Sequence, residues 1–294
     1  MCANIANQQD IVRHFLFEQT DIRGEWATVG KSYQDALKRH QYPEAIRKLL
    51  GEFIAAACLL STTIKFDGTL SIQAKGDGDI SLIVAECTSQ QNIRAIAHMK
   101  NSQPADDFRS LLQGGQIAIT IDPVEGQRYQ GIVPLEGDSL AECLEAYFAQ
   151  SEQLDTKIWL FADDSRAAGM LLQALPLQES SNKEDYDENW CRITQLASTV
   201  SPHEMLNLDH ETVLHRLFHE ETVRLFDSKQ VNFQCTCSRD RTAQALKSLG
   251  HDDANSIIEK KGSITVDCQF CGHRYSFNKY QVEEIFKPTP PILH

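Results

Sequence analysis

Four cysteines near the C-terminus constrain this chain more than any other feature of its sequence. One residue separates Cys235 from Cys237, two separate Cys268 from Cys271, and thirty residues lie between the two pairs. Thiol pairs at this spacing can converge on one tetrahedral site, the geometry that Zn²⁺ prefers, with each sulfur about 2.3 Å from the metal. We therefore predict that the four thiolates bind one Zn²⁺ per chain. Because the protein fills all four positions, we expect a structural metal and no enzymatic activity.

Residues 232–294 are predicted to form a small α+β zinc-binding module. The sequence pattern indicates two helices that each end at a glycine, two strands around the second thiol pair, and a last helix with a capping box. In chain order these elements are Arg239–Leu249, Asp252–Lys261, Ser263–Asp267, Tyr275–Phe277 and Asn278–Phe286. A unit of this size buries little apolar surface, so we expect its stability to depend on the metal.

Residues 1–178 are predicted to form an N-terminal α+β domain. Pro43 opens a helix at Ala45–Leu60 whose apolar residues cover more than one face, so we expect this helix to be buried against a sheet. Alternating apolar residues and turn sequences indicate three antiparallel hairpins, with one helix between the second and the third. The predicted elements are Thr69–Ala74 with Ile80–Ala85, Gln116–Ile121 with Tyr129–Val133, Leu140–Phe148 as the helix, and Ile158–Leu160 with Met170–Leu172.

A helical linker of marginal stability is predicted over residues 179–231. A polar stretch without apolar periodicity, Gln178–Asp185, indicates a boundary loop. Short amphipathic helices cannot build a core alone and must pack against another part of the chain, so the segment is a candidate for local unfolding. The expected elements are a helix at Tyr186–Val200, a helix with a capping box at Ser201–Glu204, a helix after Asp209, and a strand at Val223–Phe226.

The charge of the chain bears on its partners and its location. The net charge is −13, with −14 on residues 1–230 and +1 on residues 231–294. This balance argues against nucleic acid as a partner, because phosphate binding needs a surplus of Lys and Arg. The sequence shows no signal peptide and no apolar run long enough to span a membrane. We therefore expect a cytoplasmic protein in a reducing compartment, where the nine cysteines serve metal or redox chemistry and do not form a structural disulfide framework.

Other possible ligands carry weaker signals. His215 and His219 are four residues apart on a predicted helix and could bind a metal, but no third ligand is evident nearby, which favours a packed or solvated helix face. The turn Gly76–Asp79 fits neither a phosphate nor a calcium motif and indicates a hairpin. Five cysteines lie outside the thiol motif and receive no role: Cys2, Cys58, Cys87, Cys143 and Cys191.

The chain resembles the 33-kDa heat-shock protein family, the redox-regulated holdase chaperones. The motif residues that carry the resemblance are Phe233–Arg239 and Cys268–Gly272. Further similar segments extend along the chain: Leu16–Glu18, Arg23–Glu25, Lys65–Gly68, Gly76–Gly78, Arg128–Gly131, Leu135–Asp138, Ser151–Leu154, Gly169–Gln173 and Leu217–Glu221.

The resemblance implies an ATP-independent chaperone that is inactive when reduced and zinc-bound. Oxidants such as hypochlorite, or peroxide with heat, are expected to pair Cys268 with Cys271, release zinc and unfold the module. Pairing of Cys235 with Cys237 then locks the change, and the linker loses its support. The apolar surface exposed in this way is expected to bind unfolding client proteins, and the oxidised form is expected to be a homodimer.

Two other functions remain open from the residues alone. The first is a zinc-ribbon module that docks nucleic acid or another protein. The negative net charge argues against nucleic acid as the partner of such a module. The second is a thiol-disulfide oxidoreductase, which a Cys-x-x-Cys inside a closed zinc site and outside a thioredoxin-like βαβ unit disfavours.

Overall fold

The computed structural model describes residues 10–176 and 182–287. The chain divides into two compact units between Gln234 and Cys235, and each is described by itself. The division into a first domain, a linker and a zinc module at 178/179 and 231/232 stays a prediction. Its first boundary lies outside the described residues.

The first unit contains two six-stranded sheets and seven helices among its described residues. The strands are β1 Ile11–Phe17, β2 Ile22–Val29, β3 Gly68–Lys75, β4 Ile80–Thr88, β5 Asn92–Met99, β6 Gln116–Pro123, β7 Tyr129–Pro134, β8 Thr156–Ala162, β9 Ala167–Ala174, β10 Val223–Leu225, β11 Lys229–Gln230 and β12 Asn232–Phe233. The helices are α1 Lys31–Leu37, α2 Glu44–Thr63, α3 Phe108–Leu111, α4 Leu140–Tyr147, α5 Lys183–Ala197, α6 Pro202–Asn207 and α7 His210–Leu217, and Phe148–Glu152 extends α4 as a π-turn.

Helix α2 lies between the two sheets and forms the centre of the main core. The first sheet has the order β10-β1-β2-β9-β8, with β11 also on β1, and the second has the order β12-β5-β4-β3-β6-β7. Helix α2 contacts strands of both sheets, which explains why its apolar residues are not confined to one face. Small residues allow this close packing, since a Cβ added at Gly51 would lie 2.5 Å from the Cβ of Ala162. The three predicted hairpins are present as β3–β4, β6–β7 and β8–β9.

Helices α5, α6 and α7 form a cover over the first sheet and build a second apolar cluster with it. Helix α5 begins at Lys183, so the last three residues of the expected boundary loop, 183–185, are helical. Asn182 caps this helix, and the acidic side chains of Glu184 and Asp185 suit its first turn. The capping box of Ser201 and Glu204 is present as predicted. The rest of the expected loop falls largely on residues 177–181, outside the described ranges.

Three short strands after α7 tie the end of the first unit to both sheets. Strand β10 matches the predicted strand at Val223–Phe226 and pairs with β1, as does β11. Strand β12 pairs in parallel with β5, in the other sheet. Residues 229–234, called the strap below, therefore cross from one sheet to the other.

The second unit contains α8 Arg239–Leu249, α9 His251–Lys261, the hairpin β13 Ser263–Asp267 with β14 Arg274–Asn278, and α10 Lys279–Phe286. Its core is one small cluster centred on six buried side chains: Leu246, Ala254, Ile258, Ile264, Phe277 and Val282. Gly250 and Gly262 follow the first two helices as predicted, with φ of 94° and 75°. The capping box of Asn278 and Gln281 is also present. In neither unit does a described helix combine the length and apolar character needed to cross a membrane.

Candidate metal centre

The four predicted ligand cysteines meet in one site in the second unit. Their Sγ atoms all lie within 4.8 Å of one another. The Sγ atoms of Cys235 and Cys268 are 3.6 Å apart, and those of Cys237 and Cys271 are 3.5 Å apart. A tetrahedron of sulfurs about 2.3 Å from a central Zn²⁺ has edges of about 3.8 Å, so this donor set fits the metal. The same distances are well beyond the roughly 2.05 Å of a disulfide bond, so no disulfide joins any two of the four.

The first thiol pair lies immediately before α8, and that helix fixes its position. The Ser238 hydroxyl accepts a hydrogen bond from the backbone amide of Arg241 at 3.1 Å and so caps the helix. The Arg241 guanidinium in turn donates to the carbonyl and the hydroxyl of Thr236, the residue between the two thiols. The positive end of the α8 dipole therefore lies beside this pair and favours thiolates.

The second thiol pair lies in the tight turn between β13 and β14. The Gly272 amide donates to the Cys268 carbonyl at 2.7 Å, and the Cys268 amide donates to the His273 carbonyl at 2.8 Å. Gly272 has a φ of 68°, a left-handed conformation that glycine adopts without strain. Gly272 thus closes the loop that carries the sulfurs of Cys268 and Cys271.

Four basic residues lie close in sequence to the thiols: Arg239, Arg241, His273 and Arg274. Four thiolates and one Zn²⁺ would carry a net charge of −2, which cationic side chains beside the site can offset. Arg239 stacks over the Phe277 ring at 4.3 Å, and Arg274 pairs with Asp267. These two guanidinium groups therefore hold the hairpin and the core.

Tyr275 is a contact of the site that the sequence analysis did not identify. Its hydroxyl donates to the Sγ of Cys237 at 3.2 Å, and its ring lies 4.5 Å from the His273 ring. A tyrosine at alternating position in a strand carries no sequence signal for such a role. The contact emerges only when β14 turns this residue toward the first thiol pair.

Protons compete with a metal ion for the four sulfur atoms. Burial raises the pKa of Cys235 to about 12, with smaller contributions from its thiol neighbours. Burial acts in the same direction on Cys237, but hydrogen bonds from Tyr275 and the other thiols outweigh it and lower the pKa of this thiol. Burial is also the main reason that the pKa of Cys271 is raised. A metal that binds here near neutral pH must therefore displace protons.

We predict that the affinity of the site for zinc falls as the pH falls. Each displaced proton contributes about a tenfold loss of affinity per pH unit, because the proton competes with the metal for the same sulfur. Competition with a chromophoric chelator between pH 8 and pH 6 measures this slope. An affinity that stays constant over this range would show that thiolates are not the ligands.

The described residues hold no second cluster of possible metal ligands. Within residues 10–176 and 182–287, the four cysteines are the only group of three or more His, Cys, Asp or Glu side chains arranged to hold a metal ion. His215 and His219 therefore gain no third ligand there. Cys58, Cys87 and Cys143 are buried and Cys191 is exposed, while Cys2 lies outside the described part.

The sequence pattern of the family described as Hsp33 protein matches residues 10–278. The chain belongs to the Hsp33 family. The resemblance on which the sequence analysis relied is thereby confirmed over nearly the whole chain.

Proteins similar to this Hsp33 family member carry the name 33 kDa chaperonin. That of Ectopseudomonas mendocina is 49% identical over 280 residues, which cover 94% of this chain and 95% of the relative. The relative from Pseudomonas aeruginosa strain UCBPP-PA14 is 48% identical, and the match covers 95% of this chain and 95% of the relative. The relative from Azotobacter vinelandii is also 48% identical, with 94% of each chain covered. The family is one of chaperones, and chaperone function is the coarse assignment that these relatives support.

The fold agrees with a solved member of the same family. The crystal structure of the 33 kDa chaperonin from Thermotoga maritima matches with a TM-score of 0.78 at 21% identity, over 94% of this chain and 97% of that one. At this identity the likeness establishes the fold alone. It confirms the predicted α+β class for this Hsp33 family member.

Proposed function

We propose that this Hsp33 family member is a redox-regulated, ATP-independent holdase chaperone of the cytoplasm. One observation carries the proposal: an oxidisable four-thiol site begins directly after the segment that covers an apolar face of the first unit. Thiol oxidation and exposure of that face can therefore be coupled through a short stretch of chain.

The sheet face under the cover is apolar and can bind unfolded protein once it is exposed. The outer side of the first sheet presents seven buried apolar residues to the cover: Phe15, Phe17, Ile22, Trp26, Ala168, Met170 and Leu172. The contact between Phe17 and Phe218 is edge-on, with ring centroids 4.8 Å apart. An apolar surface of this extent, once exposed, binds the apolar segments that unfolding proteins expose.

The cover is poorly suited to stand alone. Helices α5, α6 and α7 have 15, 6 and 8 residues, and isolated helices shorter than about 12–15 residues are marginal in water. Their apolar residues face inward, toward the sheet. Loss of docking should therefore unfold the helices and release them as one cooperative segment.

The strap holds the C-terminal end of the cover to both sheets. The Val231 amide donates to the Asp10 carbonyl at 2.7 Å, and the Ser32 hydroxyl donates to the Val231 carbonyl at 3.2 Å. The Asn232 amide donates to the carbonyl of Gln91, the residue before β5 in the other sheet, at 3.0 Å. These few bonds end at Gln234, adjacent in sequence to Cys235, so disorder that spreads from the metal site reaches the strap first.

Oxidation of the thiols supplies the trigger. Zinc, when bound, keeps the four sulfurs as thiolates and joins the two loops that carry them. Hypochlorous acid transfers its chlorine to one thiolate and leaves hydroxide. A second thiolate then attacks that sulfur, so that the S–S bond forms as the S–Cl bond breaks and chloride leaves. Sulfurs bonded to each other in this way no longer hold the metal.

We propose the pairs Cys268–Cys271 and Cys235–Cys237 for the oxidised protein. The four Sγ atoms all lie within 4.8 Å of one another, and the contacts at 3.5 and 3.6 Å join thiols of different pairs, so distance does not select the proposed pairs. The entropy of loop closure favours them. Once the unit has opened, joining two cysteines that are close in sequence costs less entropy than joining cysteines about thirty residues apart. The oxidised form is proposed to bind unfolding client proteins and to form a homodimer, with neither nucleic acid nor a membrane as partner.

The proposal predicts that only the oxidised protein holds a client. A thermally unfolding test enzyme should stay in solution with the protein treated with hypochlorite, without ATP, and aggregate with the reduced, zinc-loaded protein. Released zinc, loss of four thiols and loss of helical circular dichroism should accompany activation. Peptide mapping should find the two proposed disulfides. Equal protection by the reduced and the oxidised protein would contradict the redox gate.

A further inference from the structure

Arg13 on β1 makes three hydrogen bonds, two of which reach the first two residues of α7 in the cover. Its Nε donates to the Phe226 carbonyl at 2.6 Å. Its Nη1 lies 2.7 Å from Nε2 of His210 and donates to Oε1 of Glu211, also at 2.7 Å. The side chains of Arg13 and His210 are 19% and 17% exposed, so water competes little for the contact between them.

The contact fixes the protonation state of His210. A guanidinium has five N–H donors, no acceptor, and keeps its proton at any pH of interest. The Nε2 atom of His210 must therefore accept, which requires a neutral ring with its proton on Nδ1. A proton added to Nε2 removes the acceptor and sets an imidazolium against a guanidinium.

We infer that Arg13 and His210 form a pH-sensitive latch that holds the cover on the first sheet and loosens when His210 takes up a proton. The latch is a property of the reduced, folded protein. Its consequence for chaperone activity rests on the proposed function: mild acid would lower the amount of oxidant needed for activation.

The other charges around His210 do not reverse this effect. Arg13 faces the ring from β1, and Asp209 and Glu211 flank it on its own segment, with a Glu211 oxygen 3.9 Å from Nε2. The Asp209 carboxylate accepts from the Thr212 amide and hydroxyl, and Glu211 already pairs with Arg13. Burial first, and Arg13 second, lower the pKa of His210 against the pull of these two carboxylates.

The direction of the pH effect follows from that lowered pKa. The docked cover binds a proton at His210 less readily than the released cover, whose histidine titrates near its ordinary value of 6.5. The latch is therefore at full strength above about pH 6.5 and weakens as the pH falls through that value toward the lower pKa of the docked state.

Hydrogen exchange of the reduced, zinc-loaded protein tests the latch. We expect amides of residues 183–217 to exchange faster at pH 5.5 than at pH 7.5 by roughly threefold or more, after correction for intrinsic rates. His210→Gln offers an amide oxygen to Arg13 and cannot titrate in this range, so its corrected exchange should not change with pH. His215→Gln, at an exposed position on the same helix, is the matched control and should behave as the natural protein does.

Metal content, measured at both pH values, separates the latch from acid release of zinc, since both His variants keep the same thiols. Nitrogen NMR of the His210 ring should also show the Nδ1–H tautomer at pH 7.5. Equal pH dependence in the natural protein and His210→Gln, or a proton on Nε2 at pH 7.5, would overturn the latch. These measurements use no client and no oxidant, so they are independent of any failure of the proposed chaperone function.

Discussion

Replacement of Cys268 by serine should abolish stable zinc binding and unfold the second unit. A serine hydroxyl is a poor ligand for Zn²⁺, and structural zinc contributes apparent binding energies of about 10–16 kcal/mol at neutral pH in small domains. The small core around Leu246, Ile258 and Phe277 cannot compensate for that loss. Zinc content and far-UV circular dichroism of the purified variant measure the effect.

A matched control is available on the cover. Cys191 is exposed and outside the metal site, so Cys191→Ser should keep both the zinc and the helical signal. Cys268→Ser should also protect a client without any oxidant, because the unit that follows the strap is unfolded. A variant that lacks zinc but keeps the full helical signal would show that the metal does not support the fold.

Truncation of Phe218 to alanine should release the cover while leaving the metal site intact. Phe218 is 2% exposed and packs edge-on against Phe17 in the first sheet. Removing a buried phenylalanine ring costs about 3–5 kcal/mol, a large share of what can hold three short helices in place. The reduced, zinc-loaded variant should therefore suppress client aggregation, and the fluorescence of Trp190 on the cover should shift to longer wavelength.

The control for this variant is Ile132→Ala on strand β7, where the side chain is 57% exposed and packs little. It should leave both the fluorescence and the inactivity of the reduced protein unchanged. A Phe218→Ala protein with an unshifted Trp190 spectrum that still fails to hold a client would contradict the assignment of the cover.

Local patterns made much of the fold predictable. Glu44–Thr63, the three hairpins and the two capping boxes carry their signal within a few neighbouring residues. The cluster of four cysteines was predictable for the same reason, since two short loops supply all four thiols. Short-range sequence signals thus identified the elements but could not place α2 between two sheets, because an apolar helix face does not say what covers it.

Strand β2 shows why other elements were missed. Its sequence includes Glu25, which is buried and paired with His14 at 2.7 Å, so the expected alternation of apolar and polar residues is broken. Gly24 belongs to the same strand because the Phe15 ring occupies the space of its missing side chain. These choices depend on contacts with side chains of the neighbouring strand β1 and leave no periodic signal.

The strap was missed for a different reason. Its strands β11 and β12 have two residues each, too few for any period to show. Their positions are set by hydrogen bonds to Asp10, Ser32 and Gln91, residues that lie far away in the sequence. The connection between the metal site and the cover is therefore a feature that only the structure reveals.

Hydrogen exchange across residues 183–230, followed together with zinc release during treatment with hypochlorite, tests the coupling most directly. We expect the protection of α5, α6 and α7 to be lost as the metal leaves, while α2, in the centre of the core, stays protected. Release of zinc with unchanged protection of these three helices would contradict it.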